Sequence, residues 1–119
     1  MAKMLIVDDE PEICEFLKDF FDDKGYTVFT APTGDDALQL VIEKKPDILL
    51  LDIMMPGRSG LETLREAKKL LPSLKVIMVS ALETTDKIET AMKLGADNYI
   101  TKPLSLDYLE NDVRAKVGA

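Results

Sequence analysis

Four apolar runs of the sequence end on side chains that could take part in chemistry. Asp8 and Asp9 follow the first of these runs, Asp52 the second, Ser80 the third and Lys102 the fourth. Two carboxylates about 4 Å apart repel each other by about 4 kcal/mol at an effective dielectric of about 20. If folding brings the three aspartates together, one lysine does not neutralise them. Either the pKa of one carboxyl group rises or a metal ion binds.

The residue types in this set favour a magnesium site that handles a phosphoryl group. The chain has no histidine, and ligand sets made only of oxygen atoms select hard cations. Mg²⁺ is commonly held by one or two carboxylates together with water and phosphate oxygens. Lys102 could pair with Asp52 before a reaction and with a phosphoryl oxygen afterwards, and Ser80 offers a hydroxyl donor to that oxygen.

Each of these residues also has an ordinary structural explanation. Asp8, Asp9 and Glu10 suit the start of a helix, where the helix dipole favours negative charge. A serine frequently caps a helix or a turn, and a lysine is usually a surface charge. These explanations would have to hold at four strand ends at once, which favours a functional cluster.

Uninterrupted apolar runs are typical of strands buried on both faces of a parallel sheet. Thr27–Ala31 alternates more than the other runs, which indicates a strand at the edge of the sheet. The predicted strands are Met4–Val7, Thr27–Ala31, Ile48–Asp52, Val76–Val79 with Ser80 at its end, and Asn98–Thr101.

Apolar residues at helical spacing, with a capping residue before and a breaker after, predict five helices. The first begins at Pro11 and ends at Lys24 and Gly25, and the others follow the candidate caps Thr33, Ser59, Thr84 or Thr85, and Ser105. The predicted buried stripes include Phe16, Ile42 and Met92. We expect Lys68 to extend from the third stripe toward water.

Five strands that alternate with five helices predict an α/β fold. Alternating βα units give a parallel sheet covered on both faces, with right-handed crossovers. For a chain of this size we predict a single-domain flavodoxin-like (βα)5 sandwich with strand order 2-1-3-4-5. In that order the candidate residues meet at the carboxyl edge of the sheet, where open α/β sheets bind their ligands.

The length and composition predict one globular domain that spans residues 1–119. The net charge is −7, which argues against direct nucleic acid binding by this domain because phosphate contacts need clustered basic residues. The one cysteine, Cys14, allows no internal disulfide, and no apolar run approaches membrane-spanning length. We therefore expect a cytoplasmic protein with no signal peptide and no membrane association.

Four segments in combination resemble the receiver domain of bacterial two-component response regulators, as found in single-domain chemotaxis receivers. These segments are Leu5–Glu10, Leu51–Gly57, Val79–Ala81 and Gly95–Pro103. The resemblance runs from end to end of the chain. A minor departure is Leu104, which stands where a phenylalanine is frequent after the Lys-Pro pair.

The resemblance implies that Asp52 is the phosphoacceptor. Asp8 and Asp9 are similar to the acidic pair that binds Mg²⁺, with Asp9 the more direct ligand. Asp52 would supply one further carboxylate oxygen and Met54 its backbone carbonyl.

The same resemblance implies roles for the residues at the last two strand ends. Ser80 and Lys102 match the hydroxyl and the lysine that contact the phosphoryl group, and Tyr99 matches the family's switch aromatic. The Lys102–Pro103 peptide bond would be cis, which costs an X–Pro bond only about 0.5–1 kcal/mol.

The resemblance further implies phosphorelay signalling rather than turnover catalysis. A sensor histidine kinase or a phosphotransfer protein would donate the phosphoryl group. A downstream output protein or a C-terminal effector domain would read the surface of helix four, strand five and helix five, and a homodimer through that face is possible.

Three alternatives remain open on the sequence. A flavin mononucleotide protein of the flavodoxin type would need a Ser/Thr/Gly-rich phosphate loop where this chain has Asp-Asp-Glu-Pro. A metal-dependent phosphohydrolase with Asp52 as nucleophile would need a further general acid or a segment that caps the substrate. A structural pseudo-receiver would not need the candidate residues at all.

Overall fold

A five-stranded parallel sheet with the strand order β2-β1-β3-β4-β5 forms the centre of the molecule. The computed structural model describes residues 2–53, 59–81 and 85–117. Its elements are β1 (Lys3–Val7), α1 (Pro11–Asp23), β2 (Thr27–Ala31), α2 (Gly34–Lys44), β3 (Ile48–Leu51), α3 (Gly60–Leu70), β4 (Lys75–Ser80), α4 (Thr85–Lys93), β5 (Asn98–Thr101) and α5 (Leu106–Val117). The predicted fold class and strand order are confirmed.

The central strands bury side chains on both faces of the sheet, as their apolar runs predict. Every residue of β3 is buried. Leu49 and Leu51 pack into the cluster that includes residues of α2, α3 and α4. Ile48 and Leu50 point to the opposite face and pack with residues of α1 and α5.

Side-chain caps fix where three of the helices begin. The Thr33 hydroxyl accepts a hydrogen bond from the Asp36 backbone N–H at 3.1 Å, and the Ser59 hydroxyl accepts one from the Glu62 N–H at 3.2 Å. The Ser105 hydroxyl accepts from the N–H of Tyr108 at 3.3 Å. The three caps proposed from the sequence are therefore confirmed, whereas Thr84 lies outside the described residues.

The boundary of β3 and three predicted members of the apolar stripes differ from expectation. Asp52 directly follows β3 rather than ending it. Phe16, Ile42 and Met92 are 57%, 53% and 45% exposed instead of buried. In α1 the reason is that the buried arc centres on other residues (Cys14, Leu17 and Phe21), which turns Phe16 away from the sheet.

Lys68 does not extend into water. Its Nζ donates to the carbonyl oxygen of Leu74 at 2.6 Å and contacts Asp97 Oδ2 at 3.2 Å. The same Asp97 oxygen accepts a hydrogen bond from the backbone N–H of Val76 at 2.8 Å. The lysine therefore links α3 to the start of β4 and to the turn before β5, a long-range contact that helical periodicity does not reveal.

Among the described helices, none combines the length and the apolar character that a membrane span needs.

Candidate functional site

Asp8 and Asp52 occupy equivalent places at the ends of two neighbouring strands. Val7 pairs with Leu51 in the parallel register of β1 and β3, so each aspartate is the first residue beyond that pair. The backbone N–H of Asp52 donates to the Val7 carbonyl at 3.1 Å, which extends the sheet by one step. Both carboxyl groups are buried, with 4% exposure for each residue.

Lys102 connects these two carboxylates from the end of β5. Its Nζ lies 3.1 Å from Asp8 Oδ2 and 3.3 Å from Asp52 Oδ2, and it is also 4.0 Å from Glu10 Oε1. Burial lowers the pKa of Lys102, but the hydrogen bond with Asp8 and the negative charges of Asp52 and Asp8 outweigh burial and raise it. The ammonium group therefore stays protonated and partly neutralises the acidic site.

The carboxylates of Asp8, Asp9 and Glu10 form a cluster that could hold a metal ion. One oxygen from each lies within 4.8 Å of the others, and only Asp8 among them is buried. Asp8 Oδ1 also accepts a hydrogen bond from the backbone N–H of Glu10 at 3.0 Å, which holds the turn. An exposed rim of oxygen donors beside a buried pair of aspartates matches the ligand preference of Mg²⁺. Met54, whose carbonyl was the remaining predicted ligand, lies outside the described residues.

Ser80 and Tyr99 lie against each other beside this acidic cluster. Ser80 ends β4 with no exposed surface, and its carbonyl accepts a hydrogen bond from the Lys102 N–H at 2.8 Å. Burial raises the pKa of Tyr99 and the charge of Asp52 adds to this, whereas a hydrogen bond with the Ser80 side chain opposes it. The Tyr99 hydroxyl therefore lies beside Ser80, and the ring packs partly buried against the cluster that includes residues of α2, α3 and α4. The Lys102–Pro103 peptide bond is cis, the isomer that the resemblance implies.

Gly60 packs against the backbone of Asp52 and Ile53, a contact that the sequence did not predict. A Cβ atom on Gly60 would lie 2.3 Å from the Asp52 carbonyl oxygen and 2.5 Å from Ile53 Cα. The Gly60 N–H donates to the Ile53 carbonyl at 3.1 Å. The start of α3 therefore contacts the backbone of Asp52 directly. The sequence feature that could have indicated this contact is a glycine at the first position of the helix, directly after the serine cap.

Cys14 contributes a second contact that the sequence did not predict. Its thiol donates to the backbone carbonyl of Asp8 at 3.3 Å. Burial raises the pKa of the Cys14 thiol, and the charge of Asp8 raises it further. The thiol therefore stays protonated and serves as a small packing group under the turn between β1 and α1.

A family model described as "Response regulator receiver domain" matches residues 4–114. A CheY-like response regulator receiver domain protein from Methanospirillum hungatei JF-1 is 31% identical over 99% of this chain and 94% of its own, with a TM-score of 0.97. The receiver domain of Francisella response regulator 1452 is 33% identical over 99% and 98% of the two chains, with a TM-score of 0.91. The BeF3-activated N-terminal receiver domain of RstA from Klebsiella pneumoniae is 26% identical over 98% and 99%, with a TM-score of 0.91.

Proposed function

This chain belongs to the family of response regulator receiver domains, which act in phosphorelay signalling, and on that premise we propose that Asp52 is its phosphoacceptor. The observation that carries the proposal is the Lys102 ammonium, which lies within 3.3 Å of both Asp8 and Asp52. A buried carboxylate beside a fixed cation, at the carboxyl edge of an α/β sheet, can receive a phosphoryl group whose oxygens the cation then contacts.

The donor in this proposal is the phosphohistidine of a sensor histidine kinase or a phosphotransfer protein. A carboxylate oxygen of Asp52 attacks phosphorus in line, an oxygen–phosphorus bond forms, and the nitrogen–phosphorus bond to the imidazole breaks with its electron pair leaving on the histidine. The product is an acyl phosphate that water removes later. Asp52 is an acceptor in this scheme and not the nucleophile of a turnover enzyme.

The residues present fit a Mg²⁺ ion at this edge. Asp8, Asp9 and Asp52 would hold it with carboxylate oxygens, and the Met54 carbonyl is proposed as a further ligand from the resemblance. Glu10 is close enough to Asp8 and Asp9 to join them directly or through water. A bound divalent ion would supply charge neutralisation for the oxygens of the transferring group. The chain's own part is to hold these carboxylates in place from two neighbouring strands.

We propose that Lys102, Ser80 and Tyr99 convert phosphorylation into a surface change. Lys102 would move its hydrogen bonds from carboxylate to phosphoryl oxygens, and the Ser80 hydroxyl would donate to another of them. The Ser80 side chain already hydrogen-bonds with Tyr99, so a new partner for Ser80 alters the contacts of Tyr99. Phosphorylation then shifts the population between two arrangements of the β5 edge.

The surface formed by α4, β5 and α5 is the proposed output face. It is read by an output protein or by an effector domain C-terminal to this one, and a homodimer through the same face is included in the proposal. Met92 and Tyr108 leave 45% and 53% of their surface exposed on these helices. We also propose that residues 1–119 form one cytoplasmic domain that does not itself bind nucleic acid.

The solved RstA receiver from Klebsiella pneumoniae supports the phosphoacceptor proposal because it was crystallised in a BeF3-activated form. Beryllium trifluoride bound to a carboxylate has the tetrahedral shape and the charge of a phosphoryl group. Family membership also favours a receiver over the flavodoxin and phosphohydrolase alternatives. Turnover of a phosphate ester in excess over the protein would restore the phosphohydrolase alternative.

The proposal is tested with Asp52→Asn, which keeps the side-chain shape and removes the nucleophilic charge. We expect intact-mass spectrometry to show one added phosphoryl group on the wild type after incubation with a small acyl phosphate and Mg²⁺, and none on the variant. Asp107→Asn is the matched control, because Asp107 is an exposed aspartate in the first turn of α5. Persistent labelling of Asp52→Asn would place the acceptor elsewhere.

The metal set is tested separately by titrating Mg²⁺ into Asp9→Ala. We expect its affinity for Mg²⁺ to fall by at least about tenfold, since each carboxylate ligand contributes strongly to a hard-cation site. Asp107→Ala is expected to bind Mg²⁺ like the wild type. Equal affinity of all three proteins would remove Asp9 from the ligand set.

A further inference from the structure

A depression at the amino-terminal edge of the sheet lies on the side opposite Asp52. Its volume is about 610 Å³, within the range of about 300–1,000 Å³ that small-molecule sites occupy. Three lysines (Lys45, Lys75 and Lys116) line it together with one carboxylate, Asp47. The acidic chain therefore concentrates positive charge in one concave place.

The charged groups around the depression differ in the partners that they have. Asp47 Oδ2 accepts a hydrogen bond from the Lys3 backbone N–H at 2.8 Å. Lys116 Nζ pairs with Asp112 Oδ1 at 3.0 Å. Within the parts of the chain that the structure describes, no ion pair involves Lys45 or Lys75. Lys45 and Lys75, both exposed, therefore line the depression without a salt bridge in the described part of the chain.

Helix dipoles explain only part of this charge. Lys45 follows the last turn of α2 and Lys116 lies in the last turn of α5, where the helix dipole favours cations. Lys75, however, is the first residue of β4, and no helix ends there. The helix dipole therefore does not explain the position of Lys75 in the depression.

The backbone conformation of Lys45 makes this lysine a suitable position for a test. Its φ of 48° and ψ of 62° are left-handed, and it is the non-glycine residue with positive φ in the described chain. Glycine is the usual residue at this position after a helix because it adopts that conformation without strain. The backbone N–H of Lys45 donates to the carbonyl of Val41, so this conformation belongs to the end of α2, and glycine can replace Lys45 without backbone strain.

We propose that this depression binds a small anion with at least two negative charges. Its charged groups would contact Lys45 and Lys75, and its apolar part would lie on Pro46, Leu71 and Val117. Lysine acts as a compact point charge and does not impose the planar geometry that arginine does. The chemistry shared by phosphate and carboxylate ligands is therefore what the site recognises. This proposal does not depend on phosphorylation of Asp52.

The test is an NMR titration of the ¹⁵N-labelled protein with pyrophosphate in one arm and citrate in the other. Divalent ions are removed from all solutions beforehand with an immobilised chelating resin, so that none carries either anion to Asp8 and Asp52 and no dissolved chelator competes for the site. We expect saturable shifts of the backbone amides of Lys45, Asp47 and Lys75 with a dissociation constant below about 1 mM. The tighter arm identifies phosphate or carboxylate as the preferred group, and equal affinities indicate recognition of charge alone.

The decisive variant is Lys45→Gly, which removes the ammonium group and relieves the backbone strain at once. We expect its melting temperature to be unchanged or raised, and its affinity for the tighter anion to fall by about tenfold. Lys87→Ala is the matched control, because it removes one positive charge from an exposed position in α4. Equal affinity of Lys45→Gly and Lys87→Ala, or shifts that never saturate, would overturn the proposal.

Discussion

Replacing Gly60 with alanine should damage both the stability of the protein and the position of Asp52. The new Cβ would lie 2.3 Å from the Asp52 carbonyl oxygen and 2.5 Å from Ile53 Cα, whereas non-bonded carbon atoms rest about 3.5–4.0 Å apart. Both obstructing atoms belong to the backbone, so no side chain can rotate away. The backbone on one side of the contact must therefore shift by about 1 Å.

The size of the effect follows from two opposing contributions. Overpacking in a tight site costs about 1–3 kcal/mol and occasionally more. Alanine returns at most about 1 kcal/mol through its higher helix propensity at the start of α3. We expect a net loss of about 1–2 kcal/mol in the free energy of unfolding. For a domain of this size, that loss lowers the melting temperature by about 3–10 °C.

The displacement of Asp52 should reduce phosphorylation more than the loss of stability alone would. A misplacement of about 1 Å at a reacting group can cost on the order of a hundredfold in rate. The assay is the initial rate of labelling by a small acyl phosphate with Mg²⁺, well below the melting temperature of the variant. Thermal unfolding by circular dichroism gives the stability in the same buffer.

Gly95→Ala provides the matched control. Gly95 has a φ of +107°, but an added Cβ would lie at an ordinary 3.5 Å from the Lys68 side chain. That variant should lose stability through backbone strain, by about 1–3 kcal/mol, while labelling at close to the wild-type rate. The reasoning is refuted if Gly60→Ala melts like the wild type, or if both variants lose labelling equally.

Three further predictions follow from the contacts described above. Lys102→Met should reduce the loss of stability at alkaline pH. Because the pKa of Lys102 is raised, its ion pairs stabilise the fold fully below the ordinary pKa of 10.5 and are lost as the pH rises through the folded-state pKa. Parallel alkaline stability profiles of the variant and the wild type in urea unfolding would contradict this. The buried Cys14 thiol should react with a maleimide at pH 8 at least about tenfold more slowly in the native protein than in denaturant. The reason is that burial raises its pKa and so lowers the thiolate fraction. Equal rates would show that the thiol is accessible. Lys68→Met should lower the free energy of unfolding by about 1–2 kcal/mol through loss of the hydrogen bonds to Leu74 and Asp97. Lys69→Met, which removes an exposed ion pair, should change it by less than about 0.5 kcal/mol. Similar values for the two variants would show that the contacts of Lys68 do not stabilise the fold.

The layout of the sheet was predictable because strand identity is a local property. An uninterrupted apolar run such as Ile48–Leu51 can be accommodated only where both faces of a strand are covered, and alternation with helices makes such strands parallel. The caps Ser59 and Thr33 were predictable for the same reason, since each involves residues only three apart. The exposure of Phe16, Ile42 and Met92 was not predictable, because the spacing of apolar residues does not say which part of the apolar stripe faces the sheet.

The sequence by itself determined which residue types stand at the carboxyl edge of the sheet, and hence which chemistry that edge can perform. Only the tertiary structure decided that one ammonium group, Lys102, contacts Asp8 and Asp52 together, that Gly60 touches the Asp52 backbone, and that Lys68 reaches Asp97. These contacts join residues between 8 and 94 positions apart. Their distances depend on how the strands and helices pack, and no local pattern of side chains records that packing.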